Sequence, residues 1–320
     1  MKTNLPVSTA SFALSLLLLA APGTGQADIV YVTDSGSDTI EEFNSAGTGT
    51  IFATASSGLS TPQGLAIDGA GNLYVANEGN NTIEKFDSSG NGTVFASSGL
   101  NNPGFLCSDS SGHLYVLNGD GTIEKFDSTG NGSLFASIGL NIDSGITCDG
   151  SGNVYVVSDL LPHSELTVRK IDSNGNASTF YSILLIPPYP FLASGGIAFD
   201  GNSNLYVAAD PFSGLNARSG VIERINSVGA GSPFTSSGAS PFGALAFGSD
   251  GDLYAVSGSI IEEFDSSGNG TLFASGLFDD VGIAVEAVPE PSAAMLLAAA
   301  LITLLPLMRR RVSSSTPAYR

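Results

Sequence analysis

The stretch GLAIDGAGNLYVANEGNNTIEKFDSSGNGTVFA, Gly64 to Ala96, holds four short apolar runs separated by turn sequences. Gly64–Ile67 opens on glycine, Leu73–Ala76 carries a tyrosine, Thr82–Phe86 alternates apolar and charged residues, and Thr93–Ala96 ends the unit. Runs of this length with period-two alternation read as strands half buried in a sheet. Between them, Asp68-Gly-Ala-Gly-Asn72 and Asp87-Ser-Ser-Gly-Asn-Gly92 put Asp first and Gly or Asn where a positive φ is needed, as tight hairpins require.

The unit recurs along the chain. Its tyrosine stands at Tyr31, Tyr74, Tyr115, Tyr155, Tyr206 and Tyr254, at spacings of 43, 41, 40, 51 and 48 residues. The alternating strand returns at Thr39–Phe43, Thr122–Phe126, Leu166–Ile171, Val221–Ile225 and Ile260–Phe264, with Ile and Phe expected inward and Glu and Lys toward water. The glycine-led strand returns at Gly145–Asp149, Gly196–Asp200, Gly243–Phe247 and Gly282–Glu286, with a looser copy at Phe105–Asp109. Four strands in a unit of about 40 residues is the measure of a propeller blade. The pattern resembles the NHL-repeat and gluconolactonase-like propellers over residues 28–287. That resemblance implies an all-β, six-bladed β-propeller of four-stranded antiparallel blades, the glycine-led strand (a) innermost and b, c and d running outward. The body begins on strand b and ends on strand a, so the last strand is expected to complete blade 1 and leave no dangling edge. A solenoid would need capping repeats with polar outer faces, and none is visible.

The two ends read as addresses. Residues 1–27 combine Lys2, an apolar core over Ser8–Ala21 and the small-residue site Gly25-Gln26-Ala27, the pattern of a signal peptide cleaved after Ala27. Ala293–Met308 is a second apolar run at the short end of what spans a bilayer, followed at once by Arg309, Arg310 and Arg311, which hold that end in the cytoplasm. Val288, Pro289, Glu290, Pro291 and Ser292 precede it. Pro-Glu-Pro, one apolar helix and an Arg cluster closely resemble the PEP-CTERM sorting tail of bacterial exported proteins, here over residues 288–311. The resemblance implies processing by an exosortase-type membrane protease. Pro306 inside the run and the trailing residues 312–320 depart from the usual tail. The expected location is therefore the inner membrane, through the C-terminal helix and with the body outside the cytoplasm, and then the cell envelope or extracellular space.

Composition agrees with such a body. Charged residues are 13 % of the chain against a usual quarter, and there are 40 glycines. Residues 28–287 hold 6 basic against 29 acidic residues, too negative for a nucleic-acid partner. The two cysteines, Cys107 and Cys148, fall on corresponding strands one position out of register, so their side chains are expected on opposite faces. They read as small buried hydrophobes, with a disulfide as the alternative that export would permit.

Repeat-to-repeat variation marks the candidate site. The a–b and c–d turns are short and uniform, and they lack the ligand spacing of a Ca²⁺ loop. The b–c and d–a connections share the opposite face, and three of them are lengthened: Asp159–Ser164, Ile183–Ser194 and Asp210–Ser219, over blades 4 and 5. These place His163, Tyr189, Phe191, Phe212 and Arg218 as candidate ligand contacts, suited to extracellular polysaccharide or another surface protein. The residues supply no catalytic set: His113 occupies a turn slot, and no nucleophile–base pair, phosphate loop or metal-spaced His cluster occurs. No resident cofactor is expected. The competing reading, implied by the gluconolactonase resemblance, is a Ca²⁺-dependent lactonase-like hydrolase at the channel mouth, for which Asp143, Asp279 and Asp280 are the available carboxylates.

Overall fold

Most of the hairpin turns are closed by their own first residue, an aspartate or, at Asn44 and Asn226, an asparagine. Asp68 Oδ1 accepts the amides of Ala70 and Asn72, its Oδ2 accepts the Asn72 side-chain amide, and the Tyr74 hydroxyl donates to the same oxygen at 3.1 Å. The arrangement recurs at Asp149–Tyr155 and Asp200–Tyr206, and at Asp109–Tyr115 with His113 in the asparagine slot. Strands are thus joined by hairpins whose geometry is set locally.

The computed structural model describes residues 27–139, 145–160, 165–184, 192–210, 212–213, 217–218, 220–235, 242–277 and 280–288. Six four-stranded antiparallel sheets form the body. Blade 1 is β26 (Asp280–Val288), β1 (Ala27–Asp34), β2 (Thr39–Phe43) and β3 (Gly49–Ala53), counted from the inside. Blade 2 is β4 (Pro62–Ile67), β5 (Leu73–Asn77), β6 (Thr82–Phe86) and β7 (Gly92–Ala96). Blade 3 is β8 (Pro103–Ser108), β9 (Leu114–Asn118), β10 (Thr122–Phe126) and β11 (Gly132–Ser137). Blade 4 is β12 (Ile146–Cys148), β13 (Val154–Leu160), β14 (Glu165–Ile171) and β15 (Ala177–Leu184). Blade 5 is β16 (Leu192–Phe199), β17 (Leu205–Asp210), β20 (Val221–Ile225) and β21 (Gly231–Thr235), with a small hairpin of β18 (Phe212–Ser213) and β19 (Ala217–Arg218) in its b–c connection. Blade 6 is β22 (Phe242–Phe247), β23 (Leu253–Ser257), β24 (Ile260–Phe264) and β25 (Gly270–Ser275). The innermost strands touch in sequence, β26 to β4, β8, β12, β16, β22 and back to β26. The ring is closed.

Blades hold together face to face. One core cluster joins Ala66, Tyr74 and Ile83 of blade 2 to Leu106, Leu114, Val116 and Phe126 of blade 3, and five more clusters repeat this around the ring. Strand b is therefore buried on both faces, as in β5, β9 and β23. Each b-strand tyrosine meets a d-strand phenylalanine edge-on, from Tyr31–Phe52 at 5.0 Å to Tyr254–Phe273 at 5.0 Å, contacts worth about 0.5–1.5 kcal/mol each. The c–d turns reach outside their own blade. A side chain on Gly130 of blade 3, at φ +84°, would strike the Phe95 carbonyl of blade 2, and one on Gly47 would strike Phe273 of blade 6.

Strand c departs from the expected alternation. Glu84 is 4 % exposed and Glu223 9 %, and burial pushes both carboxyls above the ordinary range. The neighbouring lysines lie over b-strand tyrosine rings, Lys125 5.1 Å from Tyr115 and Lys85 5.4 Å from Tyr74. Facing water is thus the wrong description for these positions: the lysines cover the tyrosine rings of their own blade, and the glutamates are buried on the other face of the strand. Every c–d pairing carries a register shift, such as Ile83/Glu84 and Ile261/Glu262, and bends the outer edge where Val94, Leu134 and Leu272 are exposed.

Closure of blade 1 depends on the chain's first described residues. β1 pairs β26 from Ala27↔Val288 to Asp34↔Asp280, so the two ends lie side by side at the a–b face. Asp28, 3 % exposed, accepts the Ser249 amide at 2.9 Å and the Ser249 hydroxyl at 2.6 Å in blade 6. The turn there has Gly248 where other blades have aspartate, and a side chain on Gly248 would collide with the Asp28 carboxylate. The missing carboxylate is supplied by the closing strand. Among the described residues no helix is long and apolar enough to cross a membrane, and the runs at 1–26 and Ala293–Met308 lie outside them.

We expect Asp28→Ala to lower unfolding free energy by about 1–3 kcal/mol, because the Ser249 donors lose their buried acceptor. Gly248→Ala should destabilise as well, and the double variant by less than the two losses added. Urea unfolding of the four proteins measures this; strict additivity would disprove the latch.

Candidate functional site

The ring encloses a channel of about 290 Å³ walled by the six a strands. Its lining is apolar side chains and small residues, among them Phe105, Ile146, Ile197, Leu245 and Ile283, with Ser108, Thr147, Cys107 and Cys148 as the polar exceptions. Cys107 is buried and Cys148 half-buried, and both are free thiols. They do lie on opposite faces of their own blades, but opposite faces of adjacent blades meet. Cys107 and Cys148 therefore share one core cluster between blades 3 and 4.

The mouth of the channel lies where the a strands begin. Thr33, fully buried, donates to the Gln63 carbonyl and accepts the Gly282 amide, tying blades 1 and 2 together at this rim. The Gln63 side chain donates to Glu78 at 2.9 Å. Asn102, at φ +48°, gives its amide to Asn81 of the preceding blade, and Asp38 accepts the Thr61 amide in the same way. The Asn81–Asn102 and Asp38–Thr61 bonds hold one blade's b–c turn to the next blade's entrance, while Gln63–Glu78 lies within blade 2. Asp280 begins β26 opposite Asp34, while Asp143 and Asp279 lie outside the described residues.

The rim rises over blades 4 and 5. Strands b and c of blades 2, 3 and 6 are five residues long, whereas β13 and β14 are seven each and pair out to Leu160↔Glu165. β15 keeps pace to Leu184, paired with Glu165. Part of what the sequence presents as lengthened loops, at Asp159–Leu160, Ile183–Leu184 and Leu192–Ser194, is thus strand. In blade 5 the hairpin β18–β19 sets Phe212 directly opposite Arg218. The structure brings these two candidate residues together; His163, Tyr189 and Phe191 lie outside the described residues, as do Pro289–Ser292 and Arg309–Arg311. Val288 ends β26 and Ala27 begins β1.

One carboxylate group escaped the sequence reading. Asp250, Asp252 and Glu263 of blade 6 bring ligand-type oxygens within 4.8 Å of one another on the a–b face, away from the channel mouth. Burial raises the Asp252 carboxyl, and Asp250 and Glu263 raise it further. The signal was the aspartate in the slot that Asn72 and Asn153 fill elsewhere. Asp250 accepts the Asp252 amide and Glu263 accepts the Tyr254 hydroxyl, roles the turn itself requires.

With this geometry the chain is a six-bladed β-propeller. The NHL repeat family model matches residues 59–86, the end of the blade 1–2 connection through strand c of blade 2. No curated protein sequence matches. Among solved structures, a chain of a nidogen/laminin complex superposes with a TM-score of 0.64 at 16% identity, covering 82% of this chain and 100% of that one. Virginiamycin B lyase from Staphylococcus aureus gives 0.54 at 16% identity, covering 81% and 83%. A gluconolactonase from Xanthomonas campestris gives 0.54 at 14% identity, covering 82% and 90%. At these identities the likeness is one of fold.

The turn carboxylates give the scaffold a definite acid response. Burial works to raise the Asp68 carboxyl, but the Asn72, Ala70 and Tyr74 donors outweigh it and hold it below the ordinary value of 3.8. A lowered folded-state pKa means stability that is whole above that value and lost as pH falls beneath it. Asp68→Asn should therefore melt lower than wild type at pH 7, with the gap closing progressively below pH 3.8. A gap independent of pH, in calorimetric melts from pH 7 to 2, would show that the charge contributes nothing.

Proposed function

We propose that this chain is an exported, non-catalytic recognition propeller. Its C-terminal tail holds it at the inner membrane until an exosortase-type protease processes it, and its body then acts at the cell envelope or in extracellular matrix. The raised rim over blades 4 and 5 carries this reading, because it breaks the six-fold regularity on one face only. A rigid scaffold with one irregular rim is how loops are presented to a partner. The proposed partner is an extracellular polysaccharide or another surface protein, met by Phe212 and Arg218 together with His163, Tyr189 and Phe191. The likeness to a chain of the nidogen/laminin complex, a protein–protein assembly, supports recognition as a use of this architecture.

The likeness to a gluconolactonase supports a second reading, a Ca²⁺-dependent hydrolase working at the channel mouth through Asp143, Asp279 and Asp280. Its prediction differs sharply. A hydrolase would bind Ca²⁺ and turn over a lactone, and both would be lost in Asp279→Ala/Asp280→Ala.

We expect the full chain, purified in detergent, to retain one class of polysaccharide or surface protein on an array. Phe212→Ala/Arg218→Ala should weaken that retention at least about tenfold while leaving the melting temperature unchanged. We also expect protease added outside spheroplasts to cut the tethered protein within 185–191 or 211–219 before the c–d turns. Lactone turnover by the wild type would overturn the non-catalytic reading. Protection of the body until the cells are lysed would overturn export.

A further inference from the structure

Cys107 and Cys148 are the chain's two cysteines, so neither has a competing partner. Cys107 pairs with Tyr115 in blade 3 and Cys148 with Val154 in blade 4, which places them one step apart along neighbouring innermost strands. The offset turns them toward each other. Cys107 packs with Ile146, Val154 and Ile171 of blade 4, and Cys148 packs back against that same cluster from the other side. Both also line the central channel, which gives a small reagent a path to them. Burial pushes the Cys107 thiol well above the ordinary range, and the facing Cys148 thiol pushes it further.

We propose that Cys107 and Cys148 form a disulfide between the innermost strands of blades 3 and 4 when the protein meets a disulfide oxidant. The inference goes beyond the export reading, and only the place where the oxidant is met rests on it. Cys148, the more exposed thiol, loses its proton and attacks one sulfur of the oxidant. That S–S bond breaks, one oxidant thiol leaves with a proton, and a mixed disulfide remains on Cys148. Cys107 then gives up its proton and attacks the Cys148 sulfur, releasing the second oxidant thiol. Two protein thiols lose two hydrogens and the oxidant disulfide gains them.

The bond would staple blades that meet here through the apolar cluster around Ile146 and Val154. Closing the loop from 107 to 148 constrains the unfolded chain, so the unfolding constant should fall roughly several hundred-fold.

Treatment of the full chain in detergent with glutathione disulfide tests the pair. We expect both thiols to disappear from titration in denaturant and the mass to fall by two hydrogens. A single linked peptide pair should carry Cys107 and Cys148, and the urea midpoint should rise. Cys148→Ser should match reduced wild type in circular dichroism and melting but gain nothing from the oxidant. Persistent free thiols, stable glutathione adducts or disulfide-linked dimers would each overturn the proposal. Protein taken directly from cells under thiol-blocking conditions separates the two readings. Free thiols there, with a cross-link formed in vitro, would count against export and leave the pair standing.

Discussion

Every blade of this molecule has two apolar faces and no means of covering either one alone. The tyrosine strand is buried on both sides, and its partners come from the blade before and the blade after. Burial of this kind is cooperative around a ring. Each interface is useful only if the next one exists, so the closing contact between blade 6 and blade 1 secures all the others. That contact is polar as well as apolar, because the Asp28 carboxylate takes the seat that Gly248 leaves empty. There a turn is stabilised by a carboxylate from the far end of the chain.

The same dependence divides what could be read from the sequence from what could not. Blade number, strand order and the permuted closure were legible, because Asp68, Gly71 and Asn72 spell a turn whose geometry they satisfy by themselves. The positions misread are those whose environment belongs to a neighbouring blade. Glu84 looks solvent-facing in its own strand, yet the chain around Gly58 covers it. Cys107 and Cys148 look separated by facing opposite ways, yet facing opposite ways is what makes neighbours in a ring meet. Gly130 looks like a hairpin glycine and is also the place where blade 3 rests on blade 2.

The candidate site follows a similar division. The sequence located the irregular rim, since insertions stand out against a repeat, but it cast as loop what is partly strand. β13 and β14 continue as paired ladder out to Leu160 and Glu165, which makes the rim a stiff extension of the blade up to that point. The opposed placement of Phe212 and Arg218 needed the hairpin register, which no spacing in the sequence supplies. At the rim the Gln63 side chain is taken up by Glu78 of its own blade, while the Gln63 carbonyl and the Asn102 backbone amide join neighbouring blades.

The hydrogen bond from Tyr31 to Glu286 spans 255 positions of chain. A ribosome completes five blades before it makes the strand that finishes the first. Until then β1 leaves its inner edge unpaired. Long-range pairing is slow in itself, and here its start is also set by the last segment to emerge. Such a chain stays open for most of its synthesis and completes its ring only when residues 280–288 are available to pair with β1.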